Sequence, residues 1–242
     1  MKEIRKLLNN NMKTKIVGFG DSFVFGSELA NNNNGHRSWI GQAAQRLGVE
    51  YETTAVPGCG NENISRQILT YFSNNPSNNV LAVINWTWGA RWDFYVPGKE
   101  TWTTLGLSCV PSKLAPLVGF EEAEKVLEFY NKYPGHSTLW DKFRTLQTIY
   151  STQQFLKHLN VPSIQTYMDS EMWDTTWHAP DYIKTLQDLT RDPLQTFEGL
   201  TFLDWSYKHG FTVTDPGLHP LEDAHKAGCE LWVDAYAQAL KS

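Results

Sequence analysis

Short uninterrupted apolar runs alternate along this chain with longer stretches whose apolar residues recur every three or four positions. The clearest run, Val80–Ile84, reads as a buried strand, and Ile16–Phe19 and Val161–Met168 read the same way. Tyr51–Val56 is polar enough to be an edge strand. Helical spacing marks Trp39–Leu47, Ile64 to about Phe72, Glu121–Tyr130, Thr138 to about Leu159, Tyr182–Leu189 and Leu221–Leu240. Ser38 caps the first of these and Gly48 ends it, Asn61 or Asn63 caps the second, and Ser137 or Thr138 opens the long fourth one. That long helix lies between two core strands and is therefore a crossover. Pro220 suits the first position of the last helix. Phe23–Leu29 begins a first helix or a loop into it, and the stretch around Asp204 and Trp205 fits a short strand or a helical turn. Residues 93–137 carry little regular pattern outside 121–130 and are broken by Pro97, Pro111 and Pro116. A long irregular stretch in a compact domain is usually functional, so it reads as an insertion or lid over the carboxyl edge of the sheet. These patterns predict an arm over 1–12 and one domain over 13–242.

The candidate chemistry sits where the first strand stops. Gly20-Asp21-Ser22 follows the apolar run directly. A hydroxyl at a strand-to-helix turn is exposed at the carboxyl edge of a sheet, near the positive end of the helix dipole. Two readings fit Ser22, an N-cap and a nucleophile. A nucleophile needs a base, and Asp215-Pro216-Gly217-Leu218-His219-Pro220 supplies an acid and an imidazole just before the last helix. The chain order Ser22, Asp215, His219 is a workable triad order on an α/β scaffold. His178 is a rival base, in a polar stretch with Trp173 and Trp177, where a lone histidine is more often a surface or structural group. His225, six residues beyond His219, reads as packing or surface.

Gly20-Asp21-Ser22 near one end with Asp-x-x-x-His-Pro near the other resembles the SGNH (GDSL-type) hydrolase superfamily, and a middle block adds to the likeness. The resemblance implies a flavodoxin-like three-layer α/β/α sandwich with a mostly parallel sheet, and ester hydrolysis through a serine acyl-enzyme. It implies Ser22 as nucleophile, His219 as base and Asp215 as the acid orienting it. Relatives place that acid three residues before the histidine, where Pro216 stands here. The backbone N–H groups of Ser22 and Gly60 match the family's oxyanion donors. The family's Gly-x-Asn-Asp turn is altered to Asn85-Trp86-Thr87-Trp88, so the third donor falls to Thr87 or Asn85. Asp21, Trp86, Trp88 and Arg91 fall on the substrate side, with Arg91 either binding an anionic group or forming a surface ion pair.

Composition narrows the partners. With 242 residues, 41% hydrophobic and 19% charged, the chain is an ordinary globular protein. A net charge of −5 gives no basic footprint for nucleic acid. Three widely spaced cysteines, Cys59, Cys109 and Cys229, show no zinc-binding spacing and read as reduced thiols. No metal or cofactor is expected. The start of the chain has no apolar core of signal-peptide length and no stretch is long enough to span a membrane, so the expected location is cytoplasmic. Ten tryptophans, several in polar loops, fit an aromatic face for a sugar. The leading expectation is therefore an esterase acting on a small-molecule or glycan ester, such as an O-acetyl group on a carbohydrate. An acyltransferase and a non-catalytic glycan-binding module on the same scaffold are the rivals. Gly18-Phe19-Gly20 only begins a dinucleotide-binding pattern, since Phe23 stands where the third glycine belongs.

Overall fold

A computed structural model describes residues 13–30, 35–75, 79–106, 109–133, 137–176, 179–192 and 194–241. The expected arm over 1–12, the polar turn at 31–34, and Trp177 and His178 lie outside the described residues.

The fold grows from two adjacent strands, β1 (Lys15–Phe19) and β3 (Val80–Trp86). All seven residues of β3 are buried, as expected of a central strand covered on both faces. It pairs in parallel with β1 on one side and with β6 (Ser163–Tyr167) on the other. The second neighbour of β1 is β2 (Glu50–Thr53), also parallel, whose half-exposed residues suit an edge. The order is therefore β2-β1-β3-β6.

Alternate side chains of the sheet feed two cores. Ile16, Leu81, Val83 and Ile164 pack with Trp39, Phe202, Trp232 and Tyr236. These belong to α2 (Trp39–Leu47), α8 (Phe202–Lys208) and α9 (Glu222–Ala239). Val17, Phe19, Ala82 and Ile84 pack the opposite way, against Ile64, Ile68, Ile149 and Leu156. Those come from α3 (Asn61–Asn74) and the crossover helix α6 (Thr138–His158). The result is the three-layer α/β/α sandwich the resemblance implied. Ser38 accepts from the Gly41 N–H to open α2, and Gly48, at φ 68°, closes it. Asp204 and Trp205 fall in α8, capped by Thr201. Pro220 precedes the N-cap of α9, Leu221, rather than entering the helix. Helix α7 (Asp181–Arg191) packs beside α6 through Ile183 and Leu146.

The segment expected to be irregular is regular. It forms an antiparallel hairpin, β4 (Trp92–Val96) with β5 (Thr101–Leu105), followed by α4 (Pro111–Val118) and α5 (Phe120–Lys132). These elements share a small core of Leu105, Leu114, Ala123, Leu127 and Tyr130. Pro111 sits in the first turn of α4, where its missing N–H costs nothing. Among the described residues no helix is long and apolar enough to cross a membrane.

Strands β1 and β3 are neighbours, but the chain leaves β1 toward β2 on one side and returns to β3 on the other. Such a switch point opens a crevice at the carboxyl ends of the strands. The turns that leave β1 and β3 there are Gly20-Asp21-Ser22 and Thr87–Arg91.

Candidate active site

Ser22 begins α1 (Ser22–Phe25), a single turn closed by Gly26 at φ 74°. Its N-cap is Asp21, whose carboxylate accepts the Phe23 N–H at 3.1 Å. Ser22 is thus not the cap; it is the first helical residue, with an N–H that has no acceptor within the turn. Its side chain is almost wholly buried, at 5% exposure.

Asp21 is completely buried. Its second oxygen accepts from the Thr87 hydroxyl and from Arg91 Nη1, each at 2.7 Å. Arg91 Nη1 also reaches Thr87 Oγ1 at 2.7 Å and the Cys59 carbonyl at 3.1 Å. The guanidinium lies 4.7 Å from the Trp88 ring centre, and that ring packs edge-on against Phe23. Asp21, expected on the substrate side, instead ties the β1 turn to the β3 turn from beneath. Burial of a carboxylate is tolerable only with such partners. Trp86 is also not at a substrate surface. It is buried on the α3–α6 side of the sheet, with its indole N–H on Gln165 Oε1 at 3.0 Å.

Donors assigned to an oxyanion are partly taken. The Gly60 N–H donates to Asp93 Oδ1 at 3.1 Å and the Asn63 N–H to Asp93 Oδ2 at 2.7 Å. Asp93, reaching over from β4, therefore caps α3, which has no cap of its own. A side chain at residue 60 would collide with that carboxylate, so a glycine is required there. The proton of the Thr87 hydroxyl is committed to Asp21, and the Thr87 N–H to Asn61 Oδ1 at 2.9 Å. Asn61 completes the clamp by donating to the Thr87 carbonyl at 3.0 Å. Asn85 is different. Its Oδ1 accepts from Thr166 at 2.8 Å, whereas its Nδ2 is buried and has no hydrogen-bond partner among the described residues.

The turn after β3 is held from three further directions. Asp169 Oδ2 accepts the Gly89 N–H at 2.9 Å. Arg144 donates to the Gly89 and Arg91 carbonyls at 2.6 and 2.9 Å and pairs with Glu62. The Tyr130 hydroxyl donates to the Ala90 carbonyl. Burial raises the Asp169 carboxyl above its ordinary range, opposed by the Gly89 N–H bond.

His219 stands at the same edge, its ring 5.3 Å from that of Phe23, the residue after Ser22. Its loop is a closed turn: Thr214 N–H bonds the His219 carbonyl at 3.0 Å, and Thr214 Oγ1 accepts the His219 N–H at 3.1 Å. Asp215 lies at the exposed tip of this turn. The carboxylate set against the imidazole is that of Glu28, with Oε1 3.4 Å from Nδ1. His225 supports the loop from α9. It is buried, its Nδ1 accepts the Trp39 N–H at 3.1 Å, and its ring also bonds the Pro220 carbonyl. Burial holds it neutral, pushed down to about 3.

No protein-family model and no curated protein matches this chain in sequence. Solved structures match it in fold. The psychrotrophic esterase EstA from Pseudoalteromonas sp. superposes with a TM-score of 0.53 at 10% identity, covering 95% of this chain and 100% of the other. A lipolytic protein of the G-D-S-L family from Veillonella parvula gives 0.51 at 12% identity, over 93% and 98% of the two chains. TesA gives 0.50 at 13% identity, over 93% and 99%. With its parallel sheet and two helical layers, this chain has the fold of the SGNH (GDSL-type) hydrolases.

Proposed function

We propose that this protein is a serine esterase that hydrolyses a carboxylic ester through an acyl-enzyme on Ser22. The observation that supports the reading is that the His219 ring packs 5.3 Å from that of Phe23, the residue after the buried Ser22, although almost two hundred positions separate the two segments. Ser22 Oγ attacks the ester carbonyl and His219 takes its proton. The same imidazole returns the proton to the departing alcohol, and water then releases the acid by the reverse sequence. The Ser22 N–H, at the first position of its turn, and Asn85 Nδ2, with no partner among the described residues, are the donors proposed for the oxyanion. The proposed substrate is an O-acetyl group on a carbohydrate, with the Trp88–Arg91 stack as the wall beside Ser22.

The test is turnover of p-nitrophenyl acetate by purified protein and by Ser22→Ala. The expected loss is about three orders of magnitude or more, and equal rates overturn the reading. One observation favours a second reading, a non-catalytic glycan-binding module: Gly60 and Thr87 have both given up their donors to buried carboxylates. Labelling of Ser22 by a fluorophosphonate probe supports the esterase; glycan binding without labelling supports the module.

A further inference from the structure

The geometry points to Glu28, on the loop after the nucleophile helix, as the residue that positions the His219 imidazole. This rests on the esterase reading above. Four independent features of the loop converge on it. First, Glu28 Oε1 is 3.4 Å from His219 Nδ1, an atom that is buried and makes no hydrogen bond among the described residues. Catalytic contacts of this kind are commonly long before substrate binds and close afterwards. Second, the backbone holds Glu28 at φ 67°, a left-handed conformation that a residue with a side chain rarely adopts. Strained positions of this sort cluster where function over-determines the chain. Third, Gly217 leaves the space that the carboxylate fills. A Cβ there would come closer than 3.0 Å to both Glu28 oxygens and to Thr214 Oγ1. Fourth, the loop is fastened at both ends. The Ser27 N–H bonds the Ser22 carbonyl at 2.9 Å, Leu29 is buried, and the Ala30 N–H bonds Glu222 Oε1 at 2.7 Å.

A carboxylate against Nδ1 fixes which ring nitrogen carries the proton in the neutral imidazole and stabilises the imidazolium once Nε2 has taken a second one. Glu28 is itself part exposed, its side chain at 43%; what sets it apart from Asp215, the acid nearer in sequence, is its ion-pair distance to the ring, and no Asp215–His219 pair occurs among the described residues. The first helical turn and the loop that leaves it would then carry nucleophile and orienting acid, and the histidine would join them from the far end of the chain. From α9, neutral His225 and the carboxylate of Glu222 face this corner too, so the readout has to be His219's own.

The experiment compares wild type with Glu28→Gln, Glu28→Asp and Gly217→Ala. Gly217→Ala crowds both the Glu28 carboxylate and Thr214 Oγ1, which accepts the His219 N–H, so it is read only beside Glu28→Gln. Two readouts are taken: the nitrogen NMR shifts of the neutral His219 ring, which report which nitrogen carries the proton and need no turnover, and kcat and KM with p-nitrophenyl acetate. In wild type the proton sits on Nδ1, facing the carboxylate; in Glu28→Gln it moves to Nε2. The kcat value falls about a hundredfold, less than the roughly ten-thousandfold cost of losing a fully buried orienting acid, because the Glu28 side chain is 43% exposed; KM is little changed. Gly217→Ala moves both readouts the same way, and Glu28→Asp recovers part of the loss. A His219 tautomer unchanged in Glu28→Gln overturns the pairing, whatever the turnover. A changed tautomer with undiminished kcat, or a kcat loss found in Asp215→Asn but not in Glu28→Gln, overturns the positioning role. If Ser22→Ala matches wild type, the esterase reading fails instead, and the NMR tautomer still decides whether the two side chains are paired.

Discussion

His225 makes the stability of this protein depend on pH in a way that can be isolated. Folding buries the ring and pushes its protonation from the ordinary 6.5 down to about 3; the nearby Glu222 carboxylate and the bond to Pro220 offset only part of that cost. The folded protein therefore binds fewer protons here than the unfolded chain. The contribution is fully present above the unfolded value and is lost as pH falls toward the folded one, a window from about 6.5 to about 3. At 1.36 kcal/mol per pH unit the whole window is worth about 5 kcal/mol, and the part between pH 7 and pH 5 about 2 kcal/mol. The latter figure hardly changes for any folded value below about 4, because at pH 5 the ring is then neutral in the fold. Other buried groups oppose it. Burial raises Asp141 to about 6 and raises Glu62 and Asp169, and each of these gains stability as pH falls. A comparison with His225→Gln, which has no imidazole but can still accept and donate, removes them. Urea unfolding followed by tryptophan fluorescence gives the stability of both proteins at pH 7 and pH 5. The wild-type advantage should shrink by about 2 kcal/mol across that interval. A gap constant to within about 0.5 kcal/mol would refute the argument that a neutral, desolvated histidine anchors the His219 loop.

The donors in the crevice make two further predictions. Thr87→Val removes the hydroxyl that Asp21 accepts from, so it should cost about 1–3 kcal/mol in urea unfolding. Its kcat should fall less than about tenfold, with Thr87→Ser near wild type, whereas loss of a true oxyanion donor costs about 10²–10³. Asp93→Ala strips the cap from α3 by freeing the N–H groups of Gly60 and Asn63, and should destabilise by about 1–2 kcal/mol in the same assay. Asp93→Asn, which keeps one accepting oxygen, should lose less.

Those elements of the fold that could be read from sequence are the ones whose signals are local. Helix α2 was bounded at both ends by Ser38 and Gly48, and each acts on backbone groups within four residues of itself. Strand β3 was visible because burial on both faces leaves no polar alternation to confuse it. The hairpin of β4 and β5 was not visible. Thr101–Leu105 is a largely polar strand, and its turn combines Pro97, Gly98 and Lys99 with Glu100 at φ 48°, a combination with no strong hairpin signature. What holds that unit together is the packing of Leu105 on Leu114 and Leu127, a contact between segments that only tertiary structure brings together.

The candidate site divides along the same line. Ser22 and His219 stood out because each adjoins the end of a predicted element, and element ends at one sheet edge are where reactive groups collect. What each polar group is committed to could not be read, because commitment depends on partners remote in the chain. Gly60 is matched by motif, yet its N–H is claimed by an aspartate 33 positions on; Thr87 occupies the donor's place, yet its proton goes to an acid 66 positions back. The sharpest case is the acid. Spacing singled out Asp215 because it is four residues from His219, but the hydrogen bonds of Thr214 close that segment into a turn with residue 215 at its exposed tip. Glu28 is 191 positions from His219 and carries no motif, and it reaches the ring only because Gly217 leaves room and Glu222 fastens its loop. An acid partner for a histidine is chosen by free space and by backbone anchoring, both properties of the folded chain. Comparison of Glu28→Gln with Asp215→Asn is therefore what most directly separates a choice made by sequence spacing from one made by shape.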